Sequence, residues 1–433
     1  MEIISKVSGA LTSLGASVLI PIFIFIICMV FGAKLKKSLM AGLTFGAAYI
    51  GLNLVINLMI TTVNPMVTAL ADNLGVKKDI LDVGWAVGSA VAYSTKCGVL
   101  IILVSLGVNI LMLATKTTKT LNVDIWNFWN HAFTASVVYI VTGNLIIGLA
   151  AGAVHAAFCL VMADRTAERV QKFYKIPGVS IPQGWVVTSI PIINGVNWVL
   201  DRIPIIKDIE WDEKHIQEKW GIFGSPLVLG TTLGLILGCV AGYWKDIPTL
   251  LNSAISIGAV MMIIPKFIAL FMESLTVVSD AAKKFMDKHF KGREFYVGLD
   301  SAILIGHPVT VASAIILIPI VLVVAMILPG NRVLPFGDLA SLAYFVALVP
   351  CLSKGNLFRS IISGIVIMSI VLLICSSFGA SMTTMAVDAG YSLPKGAVDI
   401  TALSAGNWLT WIFYKIAGIF AYQINIKRSR DGL

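Results

Sequence analysis

The sequence predicts an all-α polytopic membrane protein, and three observations lead to this fold class: an apolar composition, a series of long apolar stretches and an internal duplication. Of the 433 residues, 58% are apolar and only 13% are charged. In a soluble domain roughly a quarter of the residues carry charge. The composition therefore excludes a soluble globular protein of this size.

The apolar stretches are each long enough to cross a hydrocarbon core of about 30 Å as a helix. A backbone in lipid must satisfy its own hydrogen bonds, and uniformly apolar stretches of this length do not suit barrel strands, so helices are expected. We predict about eleven transmembrane helices plus re-entrant or broken helical segments. The stretches cover residues 11–31, 38–62, 97–115, 126–143, 145–163, 226–244, 249–270, 309–329, 335–352, 357–378 and 401–422.

The charge distribution predicts the orientation in the membrane. Most of the 32 Lys and Arg residues fall in alternate loops, such as 34–37, 165–175 and 283–293. Because cytoplasmic loops are enriched in Lys and Arg, this alternation predicts an N-terminus outside and a C-terminus in the cytoplasm of a bacterial inner membrane. The net charge of +9 is thus explained by topology, and nucleic acid is not an expected partner.

An internal duplication divides the chain into residues 1–212 and 213–433. A shift of 212 residues aligns GVSIPQGWV at 178–186 with GYSLPKGAV at 390–398, and nearly the same shift pairs Asn197-Trp198 with Asn407-Trp408. Each copy contains five predicted crossings, which is an odd number, so the second copy must enter the membrane from the opposite face. The sequence therefore predicts two inverted-topology repeats, an architecture of alternating-access carriers.

Such carriers bind their solute near the midplane, where broken helices of the two repeats meet. The best indications of such a site are polar stretches that Gly and Pro interrupt. They lie in two corresponding pairs, at 83–96 and 295–308 and at 178–198 and 390–408. Asp300 and His307 have the spacing i, i+7, which would place both on one face of a helix. Each is a candidate substrate contact, with bonding to backbone groups as the alternative reading.

Five other polar positions are further candidates for sugar contacts. His131 lies beside Trp129, and flat rings can cover sugar C–H faces while His and Asn bond hydroxyl groups. An interfacial aromatic belt would give the same pattern. Gln183 can both donate and accept hydrogen bonds from its duplicated loop, whereas Asn53 could equally join helices. The duplicated Asn-Trp pairs add Asn197 and Asn407.

The motifs that would indicate an enzyme are not present in the sequence. It contains no HExxH, no P-loop, no CxxC set, no GxSxG and no GxGxxG after a strand. We therefore expect no cofactor, no metal, no catalytic nucleophile and no ATP site, so that the energy for transport comes from elsewhere.

The sequence resembles the galactitol-type membrane component (enzyme IIC) of the bacterial phosphotransferase system, within the ascorbate/galactitol superfamily. The resemblance covers the whole chain and is carried by GLDSAILIGHPVTVAS at 298–313, DIWNFWNHAFTASVVYIVTGN at 124–144 and GVSIPQGWVV at 178–187. It implies transport of a galactitol-like polyol by alternating access. It also implies a homodimer in which spans 1, 2, 6 and 7 form the dimerisation domain and the remaining spans bind substrate.

The resemblance further implies that a cytosolic IIB protein, phosphorylated on cysteine by an upstream IIA protein, passes phosphate to the bound sugar. In the ascorbate-type relatives, substrate contacts fall at positions that match Trp85, His131, Gln183 and Asp300. The relatives have a His-Gln pair where this chain has Pro182-Gln183, so that the two loops differ.

Two other classes of function stay open at this stage. An ion-coupled secondary transporter of a small polar solute would use a buried carboxylate, for which Asp300, Asp338 and Glu273 are available. An intramembrane enzyme or receptor is the third class. The genomic neighbourhood would separate the first two, because a phosphotransferase carrier needs IIB and IIA partners.

Overall fold

The computed structural model describes residues 16–74, 78–122, 125–209, 211, 226–289, 294–335, 337–388 and 398–430. Below, the first half is residues 16–209 and the second half is residues 226–430. The loop at 390–397 that the duplication singled out, with Lys395, lies outside the described residues.

In the first half, two helices precede the first of three short strands, and further helices follow each strand. The elements are α1 (Ala16–Val30), α2 (Leu35–Leu74), β1 (Ile80–Asp82), α3 (Gly84–Ser94), α4 (Lys96–Ala114), β2 (Thr120–Asn122), α5 (Trp129–Thr142), α6 (Leu145–Tyr174), β3 (Val179–Ser180), α7 (Val186–Leu200) and α8 (Pro204–Lys207). A 3-10 turn at Ile125–Phe128 leads into α5.

The second half also has two helices before its first strand and three short strands, with one helix between its first two strands and three between its last two. Its elements are α9 (Pro226–Val240), α10 (Ile247–His289), β4 (Tyr296–Gly298), α11 (Pro308–Ile327), β5 (Val333–Leu334), α12 (Leu342–Phe345), α13 (Val349–Leu352), α14 (Leu357–Asp388), β6 (Asp399–Thr401) and α15 (Trp408–Arg430). 3-10 turns at Ser301–Leu304 and Leu403–Ala405 follow β4 and β6. The sequence did not predict the six short strands.

The strands form two small parallel sheets that interlock the halves. The first sheet has the order β5-β1-β6 and the second has the order β2-β4-β3. Leu81 of β1, for example, pairs with Leu334 and Ile400, while Val297 of β4 pairs with Leu121 and Val179. The central strand of each sheet therefore belongs to one half and both outer strands belong to the other.

Four helices within the described residues are long and apolar enough to cross a membrane: Lys96–Ala114, Leu145–Tyr174, Pro308–Ile327 and Leu357–Asp388. Shorter apolar helices, including Val186–Leu200, accompany them. The prediction of a continuous crossing at 335–352 is wrong. That stretch is a 3-10 turn followed by the short helices α12 and α13, and Pro350 stands at the start of the second, where its missing N–H is tolerated.

Small residues allow the long helices α2 and α10 to pack closely. A Cβ on Gly51 would overlap the ring of Phe267, and the hydroxyl of Ser274 donates a 2.7 Å hydrogen bond to the carbonyl of Ala41. The larger of two buried apolar clusters extends through both halves, with Ile181, Leu304, Leu317 and Leu348 fully buried in it. This core lies around the second sheet and supports the loops that leave it.

Candidate functional site

The carboxyl ends of parallel strands lie on one edge of a sheet, and in the second sheet this edge is rich in hydrogen-bond acceptors. Asp300, two residues after β4, accepts a 2.7 Å bond from the N–H of Ala302 and caps the following 3-10 turn. Asn122 ends β2, and its side-chain oxygen accepts a 2.9 Å bond from the amide of Asn127. The buried Oδ1 of Asn127 has no partner among the described residues.

Gln183 follows β3 at the same edge and is engaged at both ends of its amide. Its Oε1 accepts bonds from the N–H groups of Trp185 (3.0 Å) and Val186 (2.7 Å), and so caps α7. The side-chain amide of Asn130 is oriented so that its oxygen and its nitrogen both have hydrogen-bond partners. In this orientation the Asn130 oxygen accepts from Gln183 Nε2 at 3.2 Å and from Trp129 Nε1 at 3.1 Å. Gln183 is thus fixed in place, with 8% of its surface exposed.

Two buried histidines lie behind this loop. His131 Nδ1 bonds the hydroxyl of Ser105 at 3.1 Å, while its buried Nε2 has no partner among the described residues. The ring of His155 packs edge-on against His131, with the centroids 5.1 Å apart. His155 Nε2 lies 3.1 Å from the carbonyl oxygen of Gly184. The sequence analysis passed over His155, yet it fixes the Gln183 loop.

The carboxyl edge of the first sheet holds two buried carboxylates, Asp82 and Asp338. The segments that follow β1 and β5 approach each other closely there, and glycines make this approach possible. Gly84 has φ +79°, and a Cβ on Gly337 would lie 2.2 Å from the backbone nitrogen of Gly84. Trp85, the half-buried candidate substrate contact, follows directly. No motif in the sequence identified Asp82, and Asp338 was considered only for ion coupling.

Two tryptophans join the starts of α7 and α15. The indole N–H of Trp185 donates to the carbonyl of Gly406 at 3.0 Å, and that of Trp408 donates to the carbonyl of Thr188 at 2.6 Å. Asn407 caps α15 by accepting from the N–H of Thr410 at 2.9 Å. Each half therefore supplies one indole to the other half's backbone.

His307 is part of a separate cluster. Its Nδ1 accepts a 3.3 Å bond from the N–H of Val309 and caps α11, and its ring stacks on Phe173 with the centroids 4.6 Å apart. The expectation that Asp300 and His307 share one helix face is wrong, because a 3-10 turn and a helix start separate them. Gly306 and Pro308 break the α-helical periodicity on which the spacing depended.

The remaining candidates do not join this site. Asn197 lies in the last turn of α7 and bonds the hydroxyl of Ser353 at 3.2 Å. Asn407 instead precedes the first residue of α15. The alignment that paired these two asparagines is therefore wrong, because they lie at opposite ends of their helices. Asn53 lies within α2, and its side chain is outside the described residues.

Exposed ion pairs stand at the amino ends of both sheets. In the second sheet Lys119, just before β2, bonds Glu294, just before β4, at 2.7 Å, and this bond lowers the pKa of the Glu294 carboxyl. In the first sheet Arg332, just before β5, pairs with Asp79, just before β1, and lowers the pKa of that carboxyl. The two pairs occupy equivalent places in the order of elements.

Comparison with known proteins identifies the family. Residues 10–396 match the model of the EIIC-GAT family, described as "PTS system sugar-specific permease component". An Escherichia coli (strain K12) protein named "Putative permease IIC component" is 40% identical over 400 residues, covering 92% of this chain and 91% of the relative.

A second relative is the "PTS system galactitol-specific EIIC component" of Escherichia coli (strain K12). It is 36% identical over 412 residues, which cover 95% of this chain and 91% of the relative. The chain belongs to the EIIC-GAT family of sugar-specific permease components of the phosphotransferase system.

Proposed function

We propose that this chain carries galactitol or a closely similar sugar alcohol across the bacterial inner membrane as the IIC subunit of a phosphoenolpyruvate-dependent phosphotransferase system. Membership of the EIIC-GAT family supports the class of transport, and the galactitol-specific relative supports the substrate. The observation that carries the proposal is the carboxyl edge of the second sheet, where Asp300, Asn127 and Gln183 follow three neighbouring strands.

The chemistry of this edge suits a polyol. Every hydroxyl of a sugar alcohol needs both a donor and an acceptor when it leaves water. The partnerless oxygen of Asn127 and the partnerless Nε2 of His131 are buried polar atoms that a ligand can satisfy, because leaving such atoms unbonded is costly. We therefore propose Asp300, Gln183, His131 and Trp85 as sugar contacts and add Asn127, which the sequence analysis missed.

We further propose that the two halves are inverted-topology repeats with the N-terminus outside and the C-terminus inside. The recurring order of elements supports the duplication. Equivalent ion pairs, Lys119–Glu294 and Arg332–Asp79, would then lie at opposite membrane faces, as the distribution of basic residues predicts. A homodimer formed through spans 1, 2, 6 and 7 belongs to the same proposal and rests on the family resemblance.

Family membership implies a IIB partner, and we propose that phosphorylated IIB docks on the cytoplasmic segments around 201–209 and 272–289, with a IIA protein upstream. The rival proposal, an ion-coupled carrier, needs a carboxylate that can exchange a cation. Both oxygens of Asp338 accept backbone N–H bonds, which suits a fixed structural anion. This geometry argues against Asp338 as the carboxylate of an ion-coupled carrier.

An uptake assay tests the proposed function. Vesicles that contain the full chain should accumulate only galactitol phosphate, should require added IIB, IIA and a phosphoenolpyruvate supply, and should keep their rate when the proton gradient is collapsed. Vesicles without IIB serve as the matched control. Accumulation of unmodified sugar, driven by a proton or sodium gradient with no partner present, would contradict the proposal.

A further inference from the structure

The carboxylates of Asp82 and Asp338 interlock the two halves at the edge of the first sheet. Asp82 Oδ1 accepts bonds from the N–H groups of Gly84 at 3.1 Å and Leu403 at 3.2 Å. Its Oδ2 accepts a 2.7 Å bond from the N–H of Asp338 itself. An anion from the first half is therefore held by backbone donors from both halves.

Asp338 makes the complementary contacts. Its Oδ1 accepts a 2.7 Å bond from the N–H of Trp85 in the first half, and its Oδ2 accepts a 2.8 Å bond from the N–H of Ser404 in the second. Charge-assisted bonds of this kind are about twice as strong as neutral ones. Asp338 thus sets the distance between the start of α3 and the turn after β6.

This bond pattern continues to the Gln183 loop. The Asn130 amide nitrogen donates to the carbonyl of Ser404 at 3.2 Å, and the Asn130 oxygen accepts from Gln183 Nε2 at 3.2 Å. A path of hydrogen bonds, joined through the backbone of Ser404, therefore runs from Trp85 through Asp338 and Asn130 to Gln183. The residues at its two ends are both proposed sugar contacts.

We propose that Asp338 is a positioning residue of the sugar site, which holds Trp85 and the Gln183 loop in register; this inference rests on the proposed function. A carboxylate is required because it alone offers an acceptor oxygen in each direction. Asparagine would present an NH2 group to one of the two N–H donors, that of Trp85 or that of Ser404. Asp82 supports Asp338 by fixing its backbone.

A double-mutant cycle on the full-length protein in detergent tests this role, with galactitol binding measured by titration calorimetry. Asp338→Asn and Trp85→Ala should each weaken binding about tenfold, and the loss of binding free energy in the double variant should be smaller than the sum of the two single losses, since residues that act as a unit are not additive. Asp399→Asn is the matched control. Asp399 lies in β6 of the same sheet and accepts a bond from Thr383, so its replacement should leave the affinity unchanged.

A merely structural Asp338 would give a different result. If the two losses of galactitol affinity add in the double variant while the wild-type protein binds galactitol, the inference about Asp338 is overturned and the proposed function stands. Wild-type protein that binds no sugar alcohol would overturn the proposed function and this inference with it. If Asp338→Asn does not fold, Asp338→Glu keeps the charge and both acceptor oxygens but displaces them by one methylene, and the same cycle with Trp85→Ala applies.

Discussion

The two sheets are built alike but end differently. In the first sheet, the carboxylates of Asp82, at the end of β1, and Asp338, after β5, are both satisfied by backbone N–H groups. In the second sheet, the polar groups after β4 and β2 are Asp300 and Asn127, and the Asn127 oxygen has no partner among the described residues. The first edge also holds two hydroxyls without a partner in that part of the chain, those of Thr401 and Ser404. The chain itself closes the two carboxylates of the first edge, whereas the second edge keeps an amide oxygen for a ligand.

This difference shows how two sheets of the same topology can separate two tasks. Both sheets have polar residues near the carboxyl ends of their strands, but in the first sheet both carboxylates accept backbone bonds that join the halves. The closed edge gives the halves a fixed geometry, and the open edge can then present unsatisfied groups to substrate. The following predictions test this division, starting with the largest effect.

Breaking the closed edge should cost the most stability. Asp82→Asn replaces one carboxylate oxygen with an amide NH2, which then faces at least one of the three N–H donors. We expect a loss of about 3 kcal/mol, because hydrogen bonds to charged groups are strong and a buried donor is left unpaired. Thermal unfolding followed by fluorescence-detected size exclusion measures it. Asp399→Asn, which alters one half-buried bond to Thr383, should cost under about 1 kcal/mol. Equal losses of stability in Asp82→Asn and Asp399→Asn would contradict the idea that the carboxylates of the first edge hold the halves together.

Changing the open edge should affect binding instead of folding. Asn caps a helix start about as well as Asp, so Asp300→Asn should keep the bond to the Ala302 N–H and the stability of the protein. We expect galactitol affinity to fall by about 1–3 kcal/mol, the usual cost of an unmade buried polar contact. Asp246→Asn, at an exposed cap beside Thr249, is the control. A fall in unfolding temperature with unchanged affinity would reassign Asp300 to the scaffold.

The amino ends of the sheets should contribute least. Lys119→Cys and Arg332→Cys each remove one exposed ion pair, and such pairs contribute little to stability because solvent screens them. We therefore expect both variants to fold, so that labelling of the new thiol reports which side of the membrane each position faces. A membrane-impermeant thiol reagent should label Cys at 119 only from the cytoplasm and Cys at 332 only from outside. Labelling of both from one side would disprove the inverted arrangement of the two sheets.

The sequence predicted the membrane class from its composition, the family from the resemblance of three stretches, and several candidate site residues from polar groups in apolar surroundings. Gln183 and Asp300 stood out for this reason, and the structure places both after neighbouring strands of one sheet. Asn127 and Asp82 did not stand out, since an isolated Asn or Asp beside an apolar stretch resembles an ordinary loop residue. Their significance comes from strand pairing between residues more than 170 positions apart.

Short strands escaped prediction for a related reason. Two or three residues, such as Val179–Ser180, carry no recognisable alternation, and they become strands only when a distant segment supplies their hydrogen bonds. His307 was misplaced because a helical spacing was assumed across Gly306, where the chain instead forms a 3-10 turn and a new helix cap. Local periodicity therefore predicted the continuous helices better than the breaks between them.

The exchange of strands between the halves also bears on how the molecule is made. β1 emerges from the ribosome with both of its neighbours, β5 and β6, still unsynthesised, and β2 and β3 must wait for β4. Neither half can complete a sheet alone, so a chain that stops near residue 212 leaves all of its strand edges open, a known risk for aggregation. A polypeptide that contained only one half would therefore need a second polypeptide to complete its sheets, whereas in this protein that partner is covalently attached.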